Sequence, residues 1–460
     1  MLFFPTADED FKYFRDHGYD GSINDMHYKA LGDLGYTGSL NDRTHAYLTA
    51  VYGSFYEAMR DLRNGTSAFA LYSVNKLFPP LVLDFKLNIY KKENALTTLS
   101  SAVTHVRASS ATMTNSSGTI VTVGNNVPRI GHHVYNGSTW VNEGILLESE
   151  ARTNLITYSS DFTDSSYSKS NVTIGGDNIV APDGTTTADT VTATGSSYIQ
   201  AALNSADTSI EYTLSVWMKV PSGTTSVDMG NIDAGVYITK TVTTDWQLFS
   251  ITQTPSATTR YPRVFRKTSG DVTVHIWGAQ LEAGSTASSY IPTSGSTATR
   301  AAETLIIPAA NLPYNSTNMS IQIDGRMTYV DIDTLFELQF YYWYEDSLNN
   351  IYTALDTRST RTGQVDFYQE NGGVVDIVQG SSTSYSPGVL VPFNLSSRHG
   401  ATFLNAAIDG TALTVNTTPS ALPDLSSTNL DLGKIFMGTI AQFRMWDEDL
   451  TDAGIEKASE

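Results

Sequence analysis

The sequence contains no cysteine and no long apolar run. In a chain of 460 residues, the absence of Cys excludes disulfide bonds and thiolate metal sites. No apolar run approaches the roughly 20 residues that a membrane-spanning helix needs, so we expect no membrane span. The start, Met-Leu-Phe-Phe-Pro5 followed by acidic Asp8-Glu-Asp10, lacks the basic beginning and long apolar centre of a secretory signal. We therefore expect a soluble protein made in a cytoplasm.

Basic residues are also scarce. The chain has 28 Lys and Arg residues against 47 Asp and Glu residues, which gives a net charge of −19 and repels phosphate backbones. Nucleic acid is therefore excluded as an expected partner. Charged residues make up only 16% of the chain, against roughly 25% in an average domain. The length predicts two or three buried cores.

An internal repeat lies near the N-terminus. Gly18-Tyr-Asp-Gly-Ser-Ile-Asn-Asp25 returns as Gly35-Tyr-Thr-Gly-Ser-Leu-Asn-Asp42, and each copy places a Ser three residues before an acid, as in a helix capping box. A third version begins at Ser54. These signals predict three short helices within residues 1–70. Helices this short need a partner, which is either the rest of this region or another subunit.

After residue 70 the hydrophobic period changes from the helical value to two. Residues 71–155 contain the strand candidates Leu81–Phe85 and Thr119–Val123, and we interpret them as a β linker. Residues 156–300 alternate most cleanly, with Tyr212, Leu214, Val216 and Met218 on one face of a strand. Residues 301–460 form a second β unit, in which Asp409-Gly410 predicts a two-residue hairpin turn. The chain is therefore predicted to be mainly β, with two antiparallel sandwiches after a short α-helical N-terminal region.

Two separated motif groups resemble a known module. The first runs from Arg107-Ala-Ser through Pro128-Arg129 and Gly144-Ile-Leu-Leu-Glu148 to Arg152-Thr-Asn-Leu155, and the second includes Gly278-Ala-Gln-Leu-Glu-Ala-Gly284 and Thr299-Arg-Ala-Ala302. Together they resemble a module of bacteriophage tail-fibre and head-fibre proteins. The N-terminal repeat is similar to repeats in phage structural proteins as well.

The resemblance implies a type for each sandwich. Residues 156–300 resemble the jelly-roll carbohydrate-binding modules of phage fibres. The C-terminal end, Gly438–Trp446 followed by Leu450–Ile455, resembles the last strand and closing helix of concanavalin-A-like, laminin-G-type sandwiches. The family usually has an acid where Gly454 stands, so we expect a shorter closing helix. Such sandwiches often hold Ca²⁺, and Asp447-Glu-Asp449 or Asp324-Gly325 offer oxygen ligands, but solvated turn acids are the favoured interpretation.

Aromatic residues supply the candidate binding sites. Rings that lie flat on a solvated sheet face bind sugars by stacking. In Phe340-Tyr-Tyr-Trp-Tyr-Glu-Asp346, strand alternation separates Phe340, Tyr342 and Tyr344 from the other face, so one set is buried and the other is exposed or at an interface. The alternatives are a subunit contact or second core layer, a glycan platform, and loop packing. The glycan-binding candidates are Trp217, Trp277, Tyr341, Trp343 and Glu345.

Catalysis is not expected. Asp331-Ile-Asp333 and Glu337 come nearest to the paired acids of a glycosidase, but an acidic edge strand explains them better. No nucleophile elbow is present, and adjacent His132 and His133 would point to opposite faces, which suits surface residues rather than one metal. We therefore assign no catalytic residue, no metal ligand and no cofactor.

The resemblance implies a non-enzymatic phage virion surface protein, a tail-fibre, head-fibre or decoration subunit that displays its sandwiches for host-surface glycan. The N-terminal region would bind other phage structural proteins through the residues Tyr19, Ile23, Met26, Tyr36, Leu40 and Tyr47. Weak single-site sugar binding favours several copies, and fibres suggest a homotrimer. A purely structural decoration or connector protein and a polysaccharide-cleaving depolymerase are the alternatives.

Overall fold

A computed structural model describes residues 79–93, 95–330, 338–358 and 360–460. The helical repeat and anchoring residues predicted within residues 1–70, and the acids Asp331, Asp333 and Glu337, lie outside them. The described part is mainly β, as predicted, and its sheets are antiparallel. Among the described residues, no helix is long and apolar enough to cross a membrane.

The first part of the described chain, up to Asn154, consists of short strands. They are β1 (Leu81–Asp84), β2 (Ile89–Lys92), β3 (Ala95–Thr97), β4 (Thr104–Val106), β5 (Ala111–Thr114), β6 (Ile120–Val123), β7 (Arg129–Ile130), β8 (His133–Tyr135), β9 (Trp140–Asn142), β10 (Ile145–Glu148) and β11 (Arg152–Asn154). A single-turn helix, α1 (Leu99–Ala102), precedes β4. Strands β5 with β6 and β8 with β9 form separate two-stranded hairpins.

The jelly-roll region follows. Its strands are β12 (Ser168–Ile179), β13 (Ala188–Gln200), β14 (Tyr212–Lys219), β15 (Thr225–Gly230), β16 (Tyr237–Val242), β17 (Gln247–Gln253), β18 (Arg263–Lys267) and β19 (Val272–Ala283). The long strand β13 pairs with β19 through its first half and with β18 through its second half. A bulge in β12 near Asn171 and the left-handed Gly195 in β13 mark the bend between the halves. One buried core joins the residues of both halves.

The alternation of side chains determines which face of β14 is buried. Tyr212, Leu214, Val216 and Met218 are buried, as the period of two predicts. The opposite face is not solvated along its whole length, because Thr213 and Ser215 are buried too. Thr213 Oγ1 donates to Gly284 O at 2.7 Å, so the segment after β19 covers this face.

The C-terminal region completes the second sandwich. Its strands are β20 (Ala298–Arg300), β21 (Thr304–Ile307), β22 (Asn318–Tyr329), β23 (Leu338–Asp346), β24 (Asn349–Asp356), β25 (Gln364–Asn371), β26 (Val374–Gln379), β27 (Gly388–Gly400), β28 (Leu404–Ile408), β29 (Thr411–Ala412), β30 (Leu430–Leu432) and β31 (Met437–Trp446). A 3-10 helix spans Ala309–Asn311, and α2 spans Thr451–Ala458. The predicted hairpin turn is confirmed, since Asp409 and Gly410 both have positive φ between β28 and β29.

The described residues of the predicted 71–155 β linker do not form a separate linker, in contrast to our prediction. Strand β31 pairs with β1 along one half and with β10 along the other, and β4 pairs with β21 in the facing sheet. A ten-stranded sheet and a seven-stranded sheet thus combine strands from before and after the jelly roll, and one core lies between them. The jelly roll is an insertion into this sandwich. Periodicity identifies strands but not their partners, so the sequence could not show this.

The neck of the insertion is a short strand pair. Strand β11 pairs with β20, and Arg152 lies opposite Arg300 while Asn154 lies opposite Ala298. The chain therefore enters and leaves the jelly roll at one place. Both strands belong to the motif groups that the sequence singled out.

Candidate functional site

The two motif groups meet in a buried ion cluster beside this neck. Arg107 Nη1 lies 2.5 Å from Glu303 Oε1, and Arg129 also pairs with Glu303. Arg129 Nη2 lies 2.8 Å from Glu148 Oε2, and Arg300 Nε lies 3.0 Å from the same oxygen. All five side chains are at most 4% exposed. Three guanidinium groups thus hold two carboxylates inside the protein.

The cluster keeps both carboxylates charged. Burial by itself raises the pKa of Glu148, but the charges of Arg300 and Arg129 outweigh it and hold the pKa at about 2. Burial opposes the charge of Glu303 in the same way, but His105, whose Nε2 lies 3.6 Å from Glu303 Oε1, together with Arg129 holds the pKa of Glu303 far below the ordinary value. Neither carboxyl group carries a proton near neutral pH. A general acid is therefore not found in this cluster.

Further motif residues extend the cluster through hydrogen bonds. Ser289 donates from its backbone nitrogen and its hydroxyl to Glu148, at 2.8 and 2.6 Å. Asn154 Nδ2 donates to the carbonyls of Ala279 and Ile291, at 3.1 and 3.0 Å. Gln280 Nε2 donates to Glu282 Oε1 at 2.6 Å. These residues join the jelly roll to the sandwich through buried hydrogen bonds, and Glu148, Gln280 and Ser289 also line a cleft at this joint.

Three of the five predicted glycan-binding residues are buried, which corrects their predicted exposure. Trp277 is 2% exposed, and its Nε1 donates to Thr187 Oγ1 at 3.1 Å. Tyr341 and Trp343 lie in the main core at 1% and 0% exposure. Trp343 Nε1 donates to Thr428 O at 3.0 Å. None of these three rings presents a face to solvent.

The remaining two candidates lie at the surface. Glu345 is exposed near the end of β23. Trp217 is half-buried and borders a cleft of about 210 Å³ where the jelly roll, the hairpins after β4 and the C-terminal sandwich meet. Other side chains lining this cleft are Met113, His132, Leu248, Tyr290, Val389 and Leu390. Sugar binding by Trp217 and Glu345 stays a prediction.

His132, which was predicted to be a surface residue, lies in the wall of this cleft. His132 is half-buried in the cleft wall, and the backbone N–H of Thr114 donates to its Nδ1 at 3.2 Å. Burial, together with the nearby charge of Arg129, lowers the pKa of His132 to about 4. The side chain is therefore neutral at physiological pH.

A β-bulge explains why the alternation in β23 gave the wrong buried set. Gln339 pairs with Ala354 and Tyr341 pairs with Thr353, so Phe340 is an extra residue between two ladder pairs. Phe340 and Tyr341 consequently both point inward. After the bulge the phase is reset, and Tyr342 lies on the outer face. Both aromatic sets thus contribute to the core, whereas the prediction allowed only one.

The outer face of the seven-stranded sheet carries a row of tyrosines. Tyr342 lies opposite Tyr352, which lies opposite Tyr368 on the next strand. The ring centroids of Tyr344 and Tyr342 are 5.2 Å apart, those of Tyr342 and Tyr352 are 5.6 Å apart, and those of Tyr352 and Tyr368 are 4.1 Å apart. Tyr344 is 40% exposed and the other three are half-buried. We call these four residues the tyrosine row.

Polar groups flank the tyrosine row. Lys434 Nζ lies 4.2 Å from the ring centroid of Tyr342, and Asp431 is paired with Tyr342 in the ladder. Asn350 Nδ2 donates to Glu370 Oε2 at 2.9 Å, while Asn350 Oδ1 is buried without a hydrogen-bond partner. Burial raises the pKa of Asp431, and the charge of Lys434 opposes this rise. The rings of Tyr342 and Tyr344, and those of Tyr352 and Tyr368, stack on each other, so one face of each ring is covered. Rings flanked by amide, carboxylate and ammonium groups are a candidate for sugar binding.

Sequence reasoning missed Tyr352 and Tyr368 as site residues. Tyr352 is the single aromatic in β24, and Tyr368 has only Phe367 beside it in β25, so neither belongs to a dense aromatic cluster in the sequence. Their proximity depends on the register of β23, β24 and β25, which pairs Tyr342 with Tyr352 and Tyr352 with Tyr368. The available signal was the alternation in each strand, which places Tyr352 and Tyr368 out of phase with the buried Ile351 and Phe367.

Two of the acids considered for Ca²⁺ have protein partners. Asp449 accepts hydrogen bonds from Arg398 at 3.2 and 3.1 Å, and Asp324 accepts one from Gln322 at 2.9 Å. Within the described ranges, no group of three or more His, Cys, Asp or Glu side chains could hold a metal ion.

Comparison with known proteins adds little beyond this geometry. No family model matches the chain, and no curated protein matches it. Among solved structures, the sialidase CBM40 of Ruminococcus gnavus bound to alpha2,3 sialyllactose aligns at 11% identity, covering 32% of this chain and 83% of its own, with a TM-score of 0.26. Domain 4 of AbnA, a GH43 arabinanase of Geobacillus stearothermophilus, aligns at 13% identity over 38% and 82%, also at 0.26. TM-scores this low establish no shared architecture.

Proposed function

We propose that this protein is a non-enzymatic glycan-binding protein of a phage virion surface, in which the tyrosine row contacts the sugar. The tyrosine row is the observation that carries the proposal. Aromatic rings stack against the CH groups of a pyranose, and a contiguous row of them spans several sugar units. The phage setting is supported by the motif resemblance and by the N-terminal repeat.

The shape of the sheet suits binding of a polysaccharide rather than enclosure of a small molecule. The tyrosine row lies on the outer face of the seven-stranded sheet, where it would contact successive units of a long polysaccharide. Single-site sugar affinity is weak, and copies presented together gain affinity through effective concentration. A homotrimer anchored by residues 1–70 on a tail or head fibre follows from this proposal.

Alanine substitution in the full chain tests the site. Tyr342→Ala and Tyr352→Ala should each weaken binding to host-cell polysaccharide by up to about tenfold, because a ring contact is worth roughly 0.5–1.5 kcal/mol beyond its buried area. Tyr135→Ala is the matched control, since Tyr135 is 53% exposed on the separate β8–β9 hairpin. Equal loss in all three variants, or loss in none, would remove the tyrosine row as the binding site.

Two further measurements test the setting. Incubating host capsule with the protein should release no reducing ends, and their release would instead indicate a depolymerase. Deleting residues 1–70 should abolish incorporation into virions. If virions keep the truncated protein, or if the protein is never found on virions, the anchoring role is wrong.

A further inference from the structure

Basic residues are concentrated in one short segment of this acidic chain. The segment Arg260-Tyr-Pro-Arg263-Val-Phe-Arg266-Lys267 holds four of the 28 Lys and Arg residues within eight positions. Most of it is β18, a jelly-roll strand whose Val264 and Phe265 are fully buried. Arg263 and Arg266 are half-buried instead. A bulge at Val264, between the pairs Ile199–Phe265 and Gln200–Arg263, places both arginines on the outer face.

Tyrosines from the neighbouring strands lie against these two arginines. The guanidinium carbon of Arg263 lies 4.2 Å from the ring centroid of Tyr198 on β13 and 5.5 Å from that of Tyr237 on β16. The guanidinium carbon of Arg266 lies 4.1 Å from the Tyr237 centroid. Stacking on a ring holds a guanidinium in place without using its N–H donors. We call these four residues the arginine–tyrosine face.

The two arginines differ in their partners. Arg266 Nη1 lies 2.7 Å from Asp228 Oδ2, so one acid already neutralises its charge. Arg263 Nε donates to the neutral amide oxygen of Gln200 at 3.4 Å. Between residues 79 and 460, no described carboxylate forms an ion pair with Arg263. The arginine–tyrosine face therefore carries a net positive charge on a molecule of charge −19.

This combination selects the chemical class of a ligand. A planar guanidinium matches a carboxylate through two parallel N–H donors, and a charge-assisted bond of this kind is stronger than a neutral one. The adjacent tyrosine rings suit a pyranose. The overall negative charge repels polyanions at long range, but screening limits that repulsion to about 8 Å at physiological salt. A carboxylated sugar that reaches the face therefore encounters a local positive charge.

We infer that the arginine–tyrosine face binds carboxylate-bearing sugar units of an acidic polysaccharide, at a site separate from the tyrosine row. The inference rests on the proposed function only in that the chain binds glycan. The two surfaces differ in charge, because Asp431 and Glu370 flank the tyrosine row while arginines dominate the jelly-roll face. One chain would thus bind neutral sugars and acidic sugars through different domains.

Fluorescence anisotropy with the full chain tests the inference. The probes are labelled hexagalacturonate, its carboxyl-reduced neutral counterpart and oligosialic acid. We expect at least one acidic probe to bind about tenfold tighter than the carboxyl-reduced hexamer. Arg263→Gln should weaken that binding about tenfold, as expected for loss of one charge-assisted contact. The double variant Asp228→Asn/Arg266→Gln should weaken it as well, without leaving Asp228 unpaired.

Control variants distinguish binding at this site from a general effect of net charge. Lys457→Gln makes the same change in net charge on helix α2, where Lys457 pairs only with the exposed Glu460 among the described ion pairs, and should leave binding unchanged. Tyr342→Ala should also leave acidic-probe binding unchanged. The effect of this substitution is measured as weaker binding of neutral glycan. If no acidic probe binds, if the carboxyl-reduced hexamer binds equally well, or if Lys457→Gln weakens binding as much as Arg263→Gln, the inference is overturned. If the protein binds an acidic probe but no neutral glycan, only the role of the tyrosine row is overturned.

Discussion

At the scale of single residues, the interior of this protein depends on charges that are paired out of reach of water. Glu303 accepts from Arg107 and Arg129, and its Oε2 also accepts the backbone N–H of Glu148 at 2.8 Å. Burying a charge is costly unless it is paired, so each member of the cluster depends on the others. The motif residues Arg107, Arg129, Glu148 and Arg300 are explained by this dependence.

Glu303→Gln should destabilise the protein by about 3 kcal/mol or more, because two buried guanidinium groups lose their carboxylate. Thermal or urea unfolding followed by tryptophan fluorescence measures the change. Glu460→Gln removes an acid of the exposed Lys457 pair and should change stability by less than about 0.5 kcal/mol. A similar unfolding midpoint for both variants would show that the cluster contributes nothing to stability.

His399 should make stability sensitive to mild acid. Its side chain is 0% exposed, and burial lowers its pKa to about 3. The unfolded state binds a proton near pH 6.5 and the folded state does not, so stability is lost as the pH falls below 6.5. This loss reaches roughly 2 kcal/mol at pH 5. Glu148, with a pKa of about 2, adds its own loss only below about pH 4.5.

Unfolding midpoints measured between pH 7 and pH 5 check this. In His399→Gln the unfolding midpoint should fall less between pH 7 and pH 5 than in the unsubstituted protein. The remaining fall comes from groups such as His132, whose pKa is about 4. Slopes are compared rather than absolute stabilities, because the substitution also removes ring contacts. Identical slopes would contradict the assignment to His399.

At the scale of elements, local irregularities decide which side chains are exposed. The single extra residue Phe340 in β23 shifts the phase of the strand and brings Tyr342 to the outer face. The closing helix α2 shows a similar dependence on packing. Gly454 is buried, and a Cβ there would lie 2.8 Å from Leu450 Cβ. Packing against Leu450, which is 1% exposed, explains why this position lacks a side chain.

Gly454→Ala should therefore lower the melting temperature, although Ala favours a helix by about 1 kcal/mol over Gly. The steric contact with Leu450 outweighs that preference because Leu450 is enclosed and cannot shift freely. Differential scanning calorimetry gives the measurement. Ala453→Gly, at an exposed position of the same helix, isolates the propensity and should cost about 1 kcal/mol. A rise in melting temperature for Gly454→Ala would show that the helix can relax.

At the scale of the whole molecule, the two sandwiches are nested and not consecutive. Strands β1 and β10 together cover one edge of β31, and Leu81, Leu83, Ile145 and Leu147 are buried in the shared core. The C-terminal sandwich therefore cannot form from residues after 156 alone. The jelly roll leaves the sandwich through the β11–β20 pair, so its two ends are adjacent.

Truncation and excision should give opposite results. A fragment of residues 156–460 should fail to show a cooperative melt of the C-terminal sandwich and should aggregate, because β31 loses both strands on one edge. Replacing residues 155–297 by an Asn-Gly turn between Asn154 and Ala298 should leave that sandwich folded with a lower melting temperature. Circular dichroism melts, with the full chain as the reference, distinguish the two. A cooperative transition of the C-terminal sandwich in fragment 156–460 would contradict the nested arrangement.

Much of this architecture follows from local pattern. The period of two in β14 and the Asp409-Gly410 turn were predicted from local pattern, because each depends on neighbours within a few residues. The closing strand and helix were predicted from the resemblance to laminin-G-type sandwiches. The absence of Cys excluded disulfide bonds and thiolate metal sites, and the length predicted two or three buried cores.

Tertiary structure alone decided the partners. Which strands share a sheet, that Glu303 meets Arg107 across 196 residues of sequence, and that Tyr342, Tyr352 and Tyr368 form one row all depend on register between strands. The exposure of Trp277, Tyr341 and Trp343 was mispredicted for the same reason, since a covering segment or a bulge reverses what alternation implies. Pairing in a β-sheet is set by the balance of burial over the whole core, which no local stretch of sequence contains.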